Sequence, residues 1–163
     1  MTTVSGELSW IGLRPAPRAD VQSVSEAQVV VGQGLQGDRF EGRPGGAGTR
    51  QVTLVAQEDL ARAGELLERA EPLDPADLRR NLMLTGVDLS ALREQRVRIG
   101  NDVLLEITGG CPPCGRMEET VGEGGRDALA GLAGLTARVL HGGVLRVGDQ
   151  VTLDTVDDAT ARA

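Results

Sequence analysis

The sequence predicts a mostly β protein, an antiparallel sheet or barrel assembled from short hairpins, with one substantial helix and one or two lesser ones. Three observations predict it. Short runs rich in Val, Ile and Leu recur along the chain, each bounded by glycine, proline or aspartate. Two segments resemble each other, Arg98-Ile99-Gly100-Asn101-Asp102-Val103-Leu104-Leu105 and Arg146-Val147-Gly148-Asp149-Gln150-Val151-Thr152-Leu153, and each reads as strand, tight turn, strand. The regular alternation of strands and helices of a doubly wound sheet is missing, as are the glycine fingerprints that bind nucleotide phosphates.

Taken in order, residues 7–13 read as a strand that ends at the Pro15 and Pro17 region, and residues 21–24 and 27–31 as two more short strands. Residues 32–50 hold glycines at 32, 34, 37, 42, 45, 46 and 48, too many for a packed element, so they form a loop. Most of those glycines need no reading beyond a mobile surface loop. Asp38 and Arg39 within it are of more interest, because a loop this long in a compact domain is often functional. Residues 50–56 alternate Val52, Leu54 and Ala56 against Gln51, Thr53 and Val55, as a strand does. Residues 57–70 form the one strong helix: Leu60, Ala63, Leu67 and Ala70 share a face, and Pro72 and Pro75 end it. Residues 78–85 read as a strand whose alternation puts Arg79, Asn81 and Met83 on one face, either a solvated face or a pair of polar groups projecting together. A helical turn at 88–92, the hairpin around Gly100, a strand at 102–108, a short helix at 126–132 and strands at 135–141 and 144–147 complete the domain. Residues 1–154 are expected to form a single domain and residues 155–163 a flexible tail.

Composition excludes several classes. A formal charge of −7 and a pI of about 4.8 argue against unspecific nucleic-acid binding, and one Trp, one Phe and no Tyr leave no stacking platforms. All 17 basic side chains are arginine, so a covalent pyridoxal phosphate site, which needs a lysine, is not expected. Arginine does supply bidentate forks for phosphate and other oxyanions. No apolar run approaches the roughly 20 residues that span a bilayer, and Met1 to Gly6 carries no leader signal, so a cytoplasmic, soluble protein is expected.

The segment around which the chemistry gathers is Cys111-Pro112-Pro113-Cys114, which contains both cysteines and follows a strand and the pair Gly109-Gly110. Three readings of it compete. Two thiolates at this spacing suit half of a zinc site, but His141 is the only soft partner left, and it lies between a strand and a glycine turn. The pair is also able to close as a dithiol–disulfide couple. Alternatively a single working thiol ligates a transition metal or carries a sulfane sulfur. Arg116 favours the thiolate there, and Glu118 and Glu119 oppose it.

Together these stretches resemble the MOSC family, the molybdenum-cofactor sulfurase C-terminal domain. The matching elements, in order, are Gly37-Asp38-Arg39, Arg50-Gln51-Val52-Thr53-Leu54, Arg79-Arg80-Asn81-Leu82, Ile99-Gly100, Cys111-Pro112-Pro113-Cys114-Gly115-Arg116-Met117, and Thr136-Ala137-Arg138-Val139 before Gly142-Gly143. The match is to the compact stand-alone type. What the resemblance implies is a β-barrel of short antiparallel strands with flanking helices, holding molybdenum cofactor (molybdopterin) or carrying sulfur for a metal centre. It makes Cys114 the working residue, as metal ligand or sulfur acceptor, and gives Asp38, Arg39, Arg50, Arg79, Asn81 and Arg116 to the anionic parts of the cofactor. Some members act with redox partners to reduce N-hydroxylated compounds, so a redox or sulfur-donor protein is an expected partner, with no nucleic acid and no membrane. Phe40 stands where relatives often carry histidine after Gly-Asp-Arg. A thiol–disulfide protein using Cys111 and Cys114, and a binding module without turnover, are the alternative functions.

Overall fold

The structure, a computed structural model, describes residues 5–16, 19–38, 51–111 and 115–154, with the side chains of 115–117 excepted. The elements are β1 (Ser5–Leu13), β2 (Gln22–Val24), β3 (Glu26–Val30), β4 (Gly34–Leu35), β5 (Val52–Ala56), α1 (Gln57–Leu66), β6 (Leu82–Thr85), a 3-10 turn (Leu89–Leu92), β7 (Arg96–Ile99), β8 (Val103–Gly110), α2 (Gly115–Val121), α3 (Gly125–Ala128), β9 (Leu135–His141), β10 (Gly143–Arg146) and β11 (Gln150–Asp154).

An eight-stranded sheet runs in the order β11-β7-β8-β9-β5-β6-β1-β2, and β11 pairs again with β1. This closes seven strands into a barrel, with β2 attached to β1 outside the ring. The pattern of side chains makes closure favourable. Val52, Leu54 and Ala56 of β5, Leu82 and Leu84 of β6, Val97 and Ile99 of β7, Val103, Leu105 and Ile107 of β8, and Leu135, Ala137 and Val139 of β9 alternate along their strands and join one buried core. In β1 the alternation slips between Leu8 and Trp10, where a register shift lets both Leu8 and Ile11 face inward. A three-stranded sheet, β10-β3-β4, adds Ala27, Val29, Leu35 and Leu145 to the same core.

A second cluster lies on the outer wall. Val55 of β5 meets Leu60 and Ala63 of α1, Leu73, Leu78, Val121 of α2, Ala128 of α3, Leu129 and Ala133. Strand β5 is therefore buried on both faces, which matches its unbroken apolar run.

Four details differ from the expectation. The barrel is not wholly antiparallel, because β5 and β6 pair in parallel across the connection that contains α1. Helix α1 stops at Leu66 rather than Ala70: Glu68 takes a φ of 59°, and the chain folds back so closely that a methyl group on Gly64 would lie 2.7 Å from the Glu71 carbonyl oxygen. Strand β6 begins at Leu82 rather than 78, because Pro75 starts a turn in which Leu78 N and Arg79 N donate to the Pro75 and Ala76 carbonyls and Arg79 has a φ of 57°. The first of the two similar segments is a hairpin, β7 with β8, but the second is not: β10 joins β3 and β11 joins β7, so its turn links two sheets. Residues 155–163, expected as a tail, lie outside the described residues.

Gly134 is placed where the barrel wall allows no side chain. It has a φ of 106°, and a methyl group there would lie 2.0 Å from the Leu54 carbonyl oxygen. Gly134→Ala is expected to cost about 2–4 kcal/mol, combining positive-φ strain with a forced strand shift. Chemical denaturation of the variant beside the parent measures it, and an unchanged midpoint would contradict this packing.

Candidate functional site

Two of the polar residues that the sequence marks, Asp38 and Asn81, lie on the outer side of the barrel, away from its apolar interior. Three chain segments meet there: Arg14, just beyond β1; Asp38, after the turn that follows β4; and Asn81, just before β6. Arg14 and Asp38 are 3% and 5% exposed and Asn81 is fully buried. The Arg14 backbone N–H and Nε donate to Asp38 Oδ1 at 2.8 and 3.1 Å, and Arg14 Nη2 donates to Asp38 Oδ2 at 2.9 Å. Asn81 joins the pair, its Nδ2 donating to Asp38 Oδ1 and its Oδ1 accepting from Arg14 Nη2. Such a pair survives desolvation only when its remaining lone pairs and protons find partners, which Asn81 and the Arg79 carbonyl provide.

From Asn81 the polar contacts continue across the sheet. Thr53 of β5 receives and donates: its backbone N–H and hydroxyl donate to Asn81 Oδ1, and its Oγ1 accepts from Asn81 N at 3.0 Å. Thr53 is in register with Thr136 of β9, and Thr136 with Gly109 of β8. The Thr136 and Thr108 hydroxyls are 2.9 Å apart. One polar row thus crosses β6, β5, β9 and β8 and ends where β8 passes into Gly110 and Cys111. Cys111 is 3% exposed, and its backbone N–H donates to the Gly134 carbonyl at 2.8 Å.

Of the residues singled out in the sequence, Asp38 and Asn81 come together. Arg79 does not share their face, since the turn before β6 breaks the strand alternation. Its guanidinium donates to the Ala16 and Ala19 carbonyls, and the neighbouring Arg80 donates to the Ala133 and Leu78 carbonyls. Arg79 also borders a hollow of about 400 Å³ with Asp20, Asp77 and Glu119, where burial foremost, then nearby Asp74, pushes the Asp77 carboxyl upward against the pull of Arg69. Cys114, Arg39, Arg50 and the side chain of Arg116 lie outside the described residues. His141 is exposed at the end of β9, whereas Cys111 is bonded before its start; seven strand residues separate those ends by roughly 20 Å, so one chain does not bring His141 and Cys111 to a common metal. Among the described residues no group of three or more His, Cys, Asp or Glu side chains is arranged to hold a metal ion.

The chain matches a known family. The model of the MOSC domain matches residues 39–152. The chain belongs to the MOSC family. Similar solved MOSC-type structures are the YuaD protein of Bacillus subtilis (16% identity, TM-score 0.83, covering 93% of this chain and 97% of that one) and the YiiM proteins of Geobacillus stearothermophilus (18%, 0.71, 92% and 75%) and Escherichia coli (19%, 0.65, 91% and 70%). At these identities the likeness concerns the fold. No curated protein sequence matches the chain. Arg14, which precedes the matched residues, was missed by sequence reading, and Thr53, though part of a matching element, was given no role there. Arg14 follows a strand and carries no local signal; only its partners show what it does.

The segment after the cysteines is also organised by a carboxylate. Glu118 of α2 accepts from Gly124 N at 2.8 Å and Arg126 N at 2.9 Å, and these amides, Arg126 first, hold its carboxyl below the ordinary value.

Two predictions follow from this geometry. Asp38→Ala leaves the Arg14 guanidinium buried without its carboxylate and is expected to cost about 3–5 kcal/mol in denaturant unfolding, while Arg14→Met with Asp38→Leu recovers most of the loss. Because Glu118 is lowered, its stabilising contribution exists above its unfolded value and is lost as pH falls through the folded one. Glu118→Gln is therefore expected to speed amide exchange at Gly124 and Arg126 near neutral pH, and the difference from the parent should close in acid; a difference independent of pH would contradict this role.

Proposed function

We propose that this MOSC protein binds molybdenum cofactor through Cys114, with Arg39, Arg50 and Arg116 holding the anionic part of the ligand. The observation that carries the reading is the end of β8, where a part-buried polar row and a buried Cys111 fix the chain immediately before Pro112-Pro113-Cys114. The residues present fit such a group. A thiolate suits molybdenum or sulfur. Gly109 leaves space on its face, since among the described residues a methyl group there would meet only Thr136 Oγ1, at 3.7 Å. Asp38 and Asn81, whose polar groups point at Arg14 and Thr53, have a positioning part: they hold the strands and the start of the loop that continues into Arg39. Arg79 serves the same end by tying the turn before β6 to the Ala16 and Ala19 carbonyls.

When bound, the cofactor supplies the metal centre for redox or sulfur chemistry. The chain supplies the soft ligand, the guanidinium forks and the rigid strand end. In the sulfur-carrying version a donor persulfide loses its outer sulfur to the Cys114 thiolate and leaves as a thiolate itself. Either version calls for a redox or sulfur-donor protein as partner. No helix among the described residues is long and apolar enough to cross a membrane.

The test is elemental analysis of protein purified from a host that makes molybdenum cofactor, beside Cys114→Ser. Near-stoichiometric molybdenum in the parent and none in the variant is the expected result. Equal loading of both would overturn the assignment of Cys114. No metal in either, with a cyanide-labile sulfur on Cys114, would replace cofactor binding by sulfur carriage. Turnover of loaded protein with an electron donor then separates an enzyme from a binding module.

A further inference from the structure

A cavity of about 370 Å³ opens beside Cys111, between the end of β8 and the loop that joins α3 to β9. Its walls are Cys111, Ala130, Ala133 and the backbone of Gly110, Gly131 and Gly134, and Arg93 is the one charged residue among the described residues that line it. The guanidinium lies against Gly110: a methyl group at that position would sit 3.0 Å from Arg93 Nη2 and 3.5 Å from Nη1. Among the described residues no hydrogen bond or ion pair engages Arg93, in contrast to Arg14, Arg79, Arg80, Arg98 and Arg138, each of which meets a carbonyl or carboxylate. A glycine thus lets the guanidinium lie close to the strand at the cavity rim while its donors stay uncommitted.

The surroundings decide where an anion would sit. Arg93 also borders two adjoining hollows, one of about 250 Å³ that carries Asp59 and Asp88, the other of about 280 Å³ that carries Glu94. Carboxylates repel an anion from both. On the Cys111 side the wall is small and carries no carboxylate among the described residues, so there the guanidinium can offer a charge-assisted hydrogen bond to an anion without a competing negative charge. A volume of this size accommodates a small organic molecule, and its walls offer apolar contact and backbone groups in place of side-chain donors.

We propose that this cavity is a binding site for a small organic monoanion, a carboxylate or sulfonate on a compact flat or apolar body, with Arg93 as the residue that recognises the charge and Gly110 as the residue that lets Arg93 reach it. The site goes beyond the cofactor reading. A bare inorganic anion would leave the apolar walls uncovered, and a neutral analogue would leave Arg93 unused, so both bind more weakly than the organic anion.

The experiment is a titration of the full chain, purified from a host without molybdenum cofactor so that its result is separate from the metal analysis. The probe is benzoate, with benzamide and sulfate as controls and backbone amide shifts as the readout. Saturable shifts centred on Gly110, Gly131 and Gly134 are expected, with benzamide and sulfate weaker by about tenfold or more. Arg93→Gln should weaken benzoate about tenfold, and Ala130→Phe, which narrows the cavity from an exposed position, should weaken benzoate and benzamide alike. Arg138→Gln removes the same charge elsewhere and should leave affinity unchanged. Shifts that do not saturate, equal affinity in Arg93→Gln, or an equal loss in Arg138→Gln would each overturn the proposal.

Discussion

Closure of the barrel by β1 is the constraint on which the rest of the molecule depends. The first residues of this strand pair with β11, its middle with β6 and its end with β2, so one segment closes the ring and carries the end strand β2 outside it. Once the ring closes, inside and outside are defined for every strand. Alternate residues then fill an apolar interior, and the remaining ones must find partners on the outer wall. The register shift at Leu8 and Trp10 is part of the same solution, because a strand that serves three neighbours around a curved wall needs a local change of phase.

The outer wall is divided by this geometry. Toward α1 and α3 it is apolar and carries the second core. Toward the end of β1 and the loop after β4 it is polar, and there the buried Arg14–Asp38 pair gathers Asn81 and Thr53. A buried ion pair is not a strong source of stability by itself, but it penalises any arrangement that separates its members. Its effect here is to specify how three segments distant in sequence meet, and so to hold the chain beside Arg39 and the polar row that leads to Cys111. The segments that lead to the proposed cofactor site are framed by residues committed to the protein, while nothing among the described residues engages Arg93, near the other end of that row.

The local patterns were legible. Strands β1, β3, β5 and β9 follow directly from alternation and β-branched runs, and the glycine turn at Gly100 marks the β7–β8 hairpin. The order of short motifs around Asp38, Asn81 and Cys114 pointed to the MOSC family. Less was legible where a local rule met a tertiary one. Alternation from 78 to 85 assumed a continuous strand, but Pro75 and the left-handed Arg79 insert a turn, and three successive polar residues then point to three different places. The similar turns at Gly100 and Gly148 carry the same local chemistry, yet the strand before the second joins another sheet, because Leu145 is buried with Ala27 and Val29.

The sequence by itself therefore determined the periods, the turns and the inventory of reactive groups: a period-two β pattern, two cysteines in one segment, and arginine as the sole basic side chain. These depend on neighbours along the chain, so they can be read along it. Only the tertiary structure decided which arginines are spent and which are available. Arg14 is neutralised by a carboxylate brought from a distant loop, Arg79 and Arg80 are hydrogen-bonded to backbone carbonyls, and Arg93 lies over a glycine at a cavity without carboxylates among the described residues. The charge of an arginine is local, but its partner is chosen by the closure of the barrel, and nothing within a few residues of it records that choice.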